Sequence, residues 1–384
     1  MANQYILLVD DEPNILKALS RELEFWTEER NITILTAPDS LKALEILKEK
    51  GSNTVLVISD LRMPQMKGSD FLQVVRDTYP HILAILLTGY SETNEIIKAV
   101  RAGIFSYILK PWDSEYLIAE IDKAYTTAML KREHDALLKR MQEELKWAGE
   151  MQKALLRPVL PQSNTVEYRV SYRPVPQLYC GGDYYDVITL SSDRYLLLIG
   201  DVAGHGVRAA FVTGILKAII YPEYVRAHLT KHITPTGFLS WLNDRMNFEL
   251  RRTTGLLITF FAGILDVKTQ YFVYANAGQC HPCILRGTSI AELPVSGSAI
   301  GYASNVMYAE QGVQLQSGDV ITLYTDGLLE FTHEQQPVSL SPKDIFTGIL
   351  YSSDYHRALL TRALELSKAK DFTDDVTILS ARII

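Results

Sequence analysis

The chain has 384 residues, 47% hydrophobic and 22% charged, which is the composition of an ordinary soluble protein of two or three domains. Its 38 basic and 45 acidic residues leave a net charge of −7, which argues against nucleic acid or an anionic membrane as the main partner. The most apolar helical stretch, 209–221, is too short to span a bilayer, and Asp10 and Asp11 come too early for a signal peptide. Because three cysteines predict no disulfide framework, we expect a cytoplasmic protein.

The first 111 residues alternate between short apolar runs and stretches with helical periodicity. The runs are 5–9, 55–59, 82–87 and 107–109, and the helical stretches are 13–26, 40–50, 69–77 and 92–101. This alternation predicts a doubly wound α/β domain around a parallel sheet. Ligands of such sheets bind beyond the carboxyl ends of the strands, and five polar residues fall there: Asp10, Asp11, Asp60, Thr88 and Lys110.

These residues, with Tyr107 and Pro111, resemble in their order the receiver domain of two-component response regulators, over residues 1–128. The resemblance implies that Asp60 accepts a phosphoryl group from a histidine kinase or phosphotransfer protein. It also implies that Lys110 and Thr88 contact the phosphoryl oxygens. Tyr107 could complete the switch or be a plain aromatic at the sheet edge. The implied Mg²⁺ ligands are Asp10, Asp11, Asp60 and the backbone carbonyl of Arg62.

Residues 129–160 are expected to form a helical linker, since they belong to a stretch rich in Ala, Leu, Glu, Lys and Met that ends at Pro158. Spacings of three and four residues alternate within it, which predicts a parallel coiled coil and hence a homodimer. The alternative is an amphipathic helix packed on its own domain. The predicted seam consists of Leu138, Met141, Leu145, Ala148, Gln152 and Leu155.

Acidic motifs mark the last half of the chain. Asp183, Asp201, Asp326 and Asp374 each lie at or beside the end of a strand-like apolar run. Four such carboxylates that converge in one domain would repel one another unless cations lay between them, and oxygen ligands select Mg²⁺ or Mn²⁺. This half of the chain is therefore a candidate binuclear metal hydrolase.

Residues 161–384 resemble the SpoIIE-like branch of the type 2C metal-dependent Ser/Thr protein phosphatases. The motifs that carry the resemblance lie at 181–186, 200–206, 274–278, 323–327 and 374–377. The resemblance implies an α+β fold of two antiparallel sheets flanked by helices, with two Mn²⁺ or Mg²⁺ ions between the sheets at one end. It further implies that a hydroxide formed from a shared water attacks the phosphoester.

The same resemblance assigns roles within the motifs. Asp201 would bridge both metals, the carbonyl of Val202 would add a ligand, Asp326 and Asp374 would hold the first metal, and Asp183 the second. Asp186 and Asp375 are expected to be accessory acids. His205 could be a general acid or a helix cap, and Gln279 replaces the histidine usual in the family.

Cys280 and Cys283 form a Cys-x-x-Cys pair, which can bind zinc or be redox-active. Only Cys180 remains as a further cysteine ligand, so two small apolar side chains at the start of a strand are the favoured reading.

The resemblance as a whole implies a response regulator whose output, controlled at Asp60, is dephosphorylation of a protein. The implied substrate is phosphoserine or phosphothreonine on a STAS-type anti-sigma-factor antagonist. The alternative is a non-catalytic adaptor that binds a sigma factor or its regulator through a phosphatase-like domain. Retention of Asp183, Asp201, Asp326 and Asp374 favours the enzyme, because an adaptor has no need of mutually repelling acids.

Overall fold

The computed structural model describes residues 3–89, 97, 100, 103–175, 178–204, 206–228, 232–250, 256–333 and 336–384. The chain divides into two compact units, Met1–Met141 and Gln142–Ile384, so the division falls inside the predicted linker. None of the helices within the described ranges is long and apolar enough to cross a membrane.

The first unit is built on a five-stranded parallel sheet with the strand order β2-β1-β3-β4-β5. The strands are β1 (Gln4–Val9), β2 (Ile32–Ala37), β3 (Thr54–Asp60), β4 (Leu83–Thr88) and β5 (Ser106–Leu109). The helices are α1 (Pro13–Arg30), α2 (Ser40–Lys50) and α3 (Gly68–Thr78), with a short 3₁₀ turn at Gly51–Asn53. The doubly wound α/β prediction is confirmed, and the helix predicted at 92–101 lies mostly outside the described residues.

Both faces of this sheet are covered, which explains its continuous apolar strands. Ile6 and Leu8 of β1 pack on α1 and on the first turns of the helix that begins at Ser114. Leu7 and Val9 pack on the other face, toward α2 and α3. Local signals set the helix ends: Pro13 begins α1, and the side chain of Asp39 accepts a hydrogen bond from the Lys42 N–H at the start of α2.

A single 43-residue helix, α4 (Ser114–Leu156), contains most of the predicted linker. Its N-terminal turns bury Leu117, Ile121 and Ala124 in the core of the receiver unit. Its last turn buries Leu156 in the core of the second unit. The predicted helical linker is therefore part of a longer helix that contributes to both hydrophobic cores.

Two five-stranded antiparallel sheets form the second unit, with orders β13-β10-β9-β8-β7 and β12-β11-β14-β17-β6. The first contains β7 (Asp183–Ser191), β8 (Arg194–Val202), β9 (Ile258–Asp266), β10 (Tyr271–Ala277) and β13 (Glu310–Gln314). The second contains β6 (Val166–Arg173), β11 (Cys283–Arg286), β12 (Ser289–Glu292), β14 (Val320–Tyr324) and β17 (Val376–Ile383). A separate hairpin is formed by β15 (Glu330–His333) and β16 (Gln336–Ser339).

Helices cover the outer faces of both sheets. The first sheet is covered by α5 (Val207–Ile219), which continues through a π-helical segment (Ile220–Val225) into Arg226–His228, and by α6 (Pro235–Leu250). The second is covered by α7 (Pro342–Phe346) and α8 (Tyr355–Ser367), and a 3₁₀ turn at Asp326–Leu328 follows β14. The predicted α+β fold with two flanked antiparallel sheets is confirmed.

Strand alternation determines which side chains lie between the sheets. In β8, Leu196 and Leu198 pack under the helices, whereas Leu197 and Ile199 pack against Leu323 of the second sheet. Because Asp201 continues the odd-numbered series, it lies on the face between the sheets.

Candidate functional site

In the receiver unit, the structure brings Asp10, Asp60 and Lys110 together, as the strand ends predict. The Lys110 Nζ donates to Asp10 Oδ2 at 2.7 Å and also hydrogen-bonds Asp60 Oδ1. The second oxygen of Asp60 accepts the backbone N–H of Arg62 at 2.7 Å, and Asp10 Oδ1 accepts that of Glu12 at 2.9 Å. The two buried carboxylates thus share one ammonium group.

Burial raises the pKa of Asp60, although its hydrogen bonds with Lys110 and Arg62 act in the opposite direction. Burial alone would lower the pKa of Lys110, but the hydrogen bonds to Asp10 and Asp60 outweigh it and the pKa is raised. The turn after Asp60 requires glycine, since a Cβ on Gly68 would lie 1.9 Å from the Asp60 carbonyl oxygen.

The remaining receiver residues also lie at this end of the sheet. Asp11 is exposed beside Asp10, Thr88 is buried at the end of β4, and Tyr107 on the neighbouring β5 is 40% exposed. The side chain of Tyr107 is therefore not buried in the hydrophobic core. Roles for Thr88 and Tyr107 in a switch stay predictions.

In the second unit, β7 and β8 pair so that Asp183 lies directly opposite Asp201. Asp326 follows β14 by two residues, and Asp374 precedes β17 by two. Burial, followed by repulsion from Asp326 and Asp374, raises the pKa of Asp201 to about 8. Burial and repulsion from Asp374 likewise raise the pKa of Asp326 to about 6. Acids from both sheets therefore interact at one end of the sandwich.

The atoms around Asp183 are suited to a divalent cation. Its Oδ2 accepts hydrogen bonds from the hydroxyls of Thr377 and Thr325, whereas its Oδ1 is buried with no hydrogen-bond partner. Within the described ranges, no three Asp, Glu, His or Cys side chains already form a closed ligand group. The side chains that converge here offer carboxylate and hydroxyl oxygens, which are the donors that hard divalent cations prefer.

Asp375 faces the backbone instead. Its carboxylate accepts the N–H of Val175 at 2.9 Å and that of Gly182 at 2.8 Å. A Cβ on Gly181 would lie 2.1 Å from Asp375 Oδ2, and one on Gly182 would lie 2.6 Å from the Val202 carbonyl oxygen. The glycine pair is thus needed for the loop before Asp183 to approach both Asp375 and Val202.

Asp186 and His205 differ from the other predicted site residues. Asp186 is three residues from Asp183 and therefore lies on the opposite face of β7. There it forms an ion pair with Lys217 of α5 at 2.6 Å and accepts the Tyr184 hydroxyl at 3.3 Å. The structure thus separates Asp186 from the acid cluster, while His205 lies outside the described residues.

The cysteine pair adjoins the cluster. Burial, then the charges of Asp326 and Glu330, raises the pKa of Cys280 to about 12. Burial also raises the pKa of Cys283 to about 12. Both thiols are therefore protonated at neutral pH. The Oε1 of Gln279 accepts the Cys280 N–H at 2.9 Å, so this side chain supports the local backbone.

Sequence reasoning placed Gln152 in the linker seam and did not single out Thr325 or Thr377. Gln152 is in fact buried in the second unit, where its Nε2 donates to the Gly181 carbonyl at 2.7 Å and to Thr213 Oγ1 at 2.9 Å. Its Oε1 accepts the Gly181 N–H at 3.1 Å. The only sequence signal was a polar residue within an otherwise apolar stripe.

Comparisons with known proteins identify both units. Residues 191–384 match the family described as Stage II sporulation protein E (SpoIIE), and residues 6–122 match the response regulator receiver domain. The SiaA-PP2C domain of Pseudomonas aeruginosa shares this fold with a TM-score of 0.55 at 22% identity, over 65% of this chain and 99% of that one.

Curated relatives match the receiver part. The hydrogenase transcriptional regulatory protein HoxA of Cupriavidus necator is 38% identical over 120 residues, which is 31% of this chain and 23% of that protein. The transcriptional regulatory protein GlrR of Escherichia coli is 34% identical over 120 residues, 31% of this chain and 26% of that protein. The chain spans about a quarter of the length of these relatives. On the match to its C-terminal half, the chain belongs to the SpoIIE family, with a response regulator receiver domain preceding its phosphatase-like domain.

Proposed function

We propose that this protein is a response regulator whose output is the metal-dependent dephosphorylation of phosphoserine or phosphothreonine on another protein. The observation that carries the proposal is Asp183 opposite Asp201, with the buried Oδ1 of Asp183 lacking a hydrogen-bond partner. An ionised carboxylate oxygen in that state is costly unless a cation binds it, so Asp183 supports a metal-binding site, which the enzyme needs and a non-catalytic adaptor does not.

The residues that would hold two Mn²⁺ or Mg²⁺ ions are Asp183, Asp201 with the Val202 carbonyl, Asp326 and Asp374. A bound cation pair supplies Lewis-acid activation of water and of the phosphoester. The chain itself positions the proposed ligands. Asp375 accepts a hydrogen bond from the Gly182 N–H, and the pairing of β7 with β8 places Asp183 opposite Asp201. Ionisation of Asp201, whose pKa is raised to about 8, would accompany cation binding.

In the receiver, Asp60 would accept a phosphoryl group from a histidine kinase or phosphotransfer protein. Asp10, Asp11, Asp60 and the Arg62 carbonyl would hold Mg²⁺, and Lys110 would then pair with the phosphoryl group. The ammonium group of Lys110 already lies within hydrogen-bond distance of Asp60, which supports this role. Phosphorylation of Asp60 would control the phosphatase, and the family resemblance favours an anti-sigma-factor antagonist as the protein substrate.

A cytoplasmic homodimer joined along α4 is also proposed. One face of α4 exposes Leu130, Leu137, Met141, Met151 and Leu155, each more than half exposed. They are separated by seven, four, ten and four residues, which keeps all five on one face of the helix and fits a helix–helix seam with a second copy. The face is displaced from the predicted seam, since Gln152 points into the second unit and Met151 takes its place.

Hydrolysis of p-nitrophenyl phosphate with Mn²⁺ tests the catalytic proposal. We expect Asp201→Ala to lower the turnover by at least about 10³-fold, since it removes the proposed bridging ligand. Asp186→Asn is the matched control, because Asp186 lies on the opposite face of β7 and should leave Mn²⁺-dependent turnover within about threefold. Hydrolysis that persists in excess chelator would contradict the metal mechanism, and binding of an antagonist without turnover would favour the adaptor.

A further inference from the structure

Two threonine side chains from the second sheet region, one after β14 and one in β17, donate hydrogen bonds to the same oxygen atom of Asp183 in the first sheet. Asp183 begins β7 in the first sheet, Thr325 follows β14, and Thr377 lies in β17 of the second sheet. Thr377 Oγ1 donates to Asp183 Oδ2 at 2.6 Å and Thr325 Oγ1 donates to the same oxygen at 3.0 Å. All three side chains are almost completely buried.

The direction of the Thr325 hydroxyl is set by its other partner. The backbone N–H of Thr377 donates to Thr325 Oγ1 at 2.9 Å, so one lone pair of that oxygen is used as an acceptor. The hydroxyl hydrogen of Thr325 is then free to point at Asp183 Oδ2, its nearer acceptor. The Asp375 carbonyl oxygen lies farther away, at 3.4 Å. Two hydroxyl donors on one oxygen fix the rotation of the carboxylate about its Cβ–Cγ bond.

We propose that Thr325 and Thr377 are positioning residues that hold Oδ2 of Asp183 and thereby present Oδ1 to a divalent cation. The assignment rests on the proposed metal-dependent function and adds to it the groups that orient one ligand. Hydrogen-bonded residues behind a metal ligand commonly affect metal affinity strongly, because they fix the ligand and stabilise its charged form.

A purely structural role would have a different pattern. A threonine hydroxyl that merely needs a partner in the core can share one hydrogen bond with a single hydroxyl, as Thr322 and Tyr355 do at 3.0 Å on the outer face of the second sheet. Thr325 and Thr377 instead converge on one oxygen and leave the other without a hydrogen bond. This asymmetry is what a metal ligand requires.

The test compares Thr377→Val, which removes the hydroxyl at nearly constant shape, with Thr377→Ser, which keeps it. Thr322→Val is the matched control, since it removes a buried threonine hydroxyl from the adjacent strand. The wild type and every variant carry Asp11→Asn in the full-length chain, which removes an exposed ligand of the proposed receiver cation site. The dissociation constant for Mn²⁺ is then measured from the electron paramagnetic resonance signal of free Mn²⁺. Thermal unfolding in chelator is recorded in parallel.

We expect Thr377→Val to weaken Mn²⁺ binding by about 10- to 100-fold. Thr377→Ser should remain within about threefold of the wild type, and Thr322→Val should lower thermal stability without changing Mn²⁺ affinity. If Thr377→Val does not fold, Thr325→Val, which removes the longer bond, takes its place. Unchanged Mn²⁺ affinity in a folded valine variant would overturn the positioning role alone. Absence of Mn²⁺ binding by the wild type would overturn the proposed function with it.

Discussion

Gln152 and Gly181 exchange two hydrogen bonds, one from the side-chain amide to the Gly181 carbonyl at 2.7 Å and one from the Gly181 N–H back to the side chain at 3.1 Å. Gly181 lies two residues before Asp183, and its neighbour Gly182 is held by Asp375. The last turns of α4 are therefore hydrogen-bonded to the loop that carries a proposed metal ligand. Movement of the helix would act directly on that loop.

Gln152→Ala should uncouple the phosphatase rate from phosphorylation of Asp60. The substitution leaves buried polar groups of Gly181 without partners, which should lower the free energy of unfolding by about 1–3 kcal/mol. Urea unfolding and turnover, with and without a small phosphodonor, measure both effects. Gln142→Ala, on an exposed part of the same helix, is the control. A folded Gln152→Ala protein that responds like the wild type would show that the signal takes another route.

The exposed face of α4 should mediate self-association. Replacing Leu137 and Met141 with Ser removes two apolar side chains that are 57% and 54% exposed, so the monomer should keep its fold while a dimer weakens by at least about tenfold. Light scattering over a range of concentrations measures the change, with Gln142→Ser as a control on another face. If both variants associate like the wild type, the seam lies elsewhere.

Asp60 should be the only phosphoryl acceptor. Incubation with acetyl phosphate and Mg²⁺ should add one phosphoryl group to the wild type and to Asp201→Ala, because the two acidic sites use separate ligands. Asp60→Ala should gain none. Intact-mass analysis measures the mass added to each protein. The same added mass on Asp60→Ala would show that another residue is the acceptor.

His356 should make stability depend on pH. Its ring lies 2.8 Å from Ser171 Oγ and 2.9 Å from Ser380 Oγ, and burial, then the charge of Arg169, lowers its pKa from 6.5 to about 4. Above pH 6.5 this contribution is fully present, because the ring is neutral whether the chain is folded or unfolded. Between pH 6.5 and 4 the unfolded chain binds a proton that the folded chain does not, so up to about 3 kcal/mol is lost.

The check is the free energy of unfolding of wild type and His356→Gln across pH 4–7. The difference between the two proteins isolates this histidine from the acids, whose titration is common to both. A difference that does not change with pH would contradict the assignment.

Much of the architecture could be predicted because it depends on apolar periodicity. The buried strands of the receiver are continuous apolar runs, whereas β2 was missed because threonines interrupt its pattern at the sheet edge. That Asp183 and Asp201 lie close together could be predicted, because both belong to motifs at the ends of strand-like apolar runs. The separation of Asp186 could have been predicted too, since an odd spacing along a strand changes faces.

Buried polar contacts were harder to predict. The hydrogen bonds from Thr325 and Thr377 to Asp183 do not follow from periodicity, because these pairs are 142 and 194 residues apart in sequence. The burial of Gln152 does not follow either, because its partner Gly181 is 29 residues away. Hydrogen bonds of this kind depend on how strands from different sheets come together. The sequence pattern alone carries no information about that arrangement.

The position of β17 has a consequence for synthesis of the protein. Val376–Ile383 lies between β14 and β6 in its sheet, so that sheet stays divided until these residues have left the ribosome. The receiver sheet, by contrast, is complete once residue 109 has emerged. The receiver sheet can therefore form while the second unit still lacks β17, the strand that follows Asp374 and Asp375.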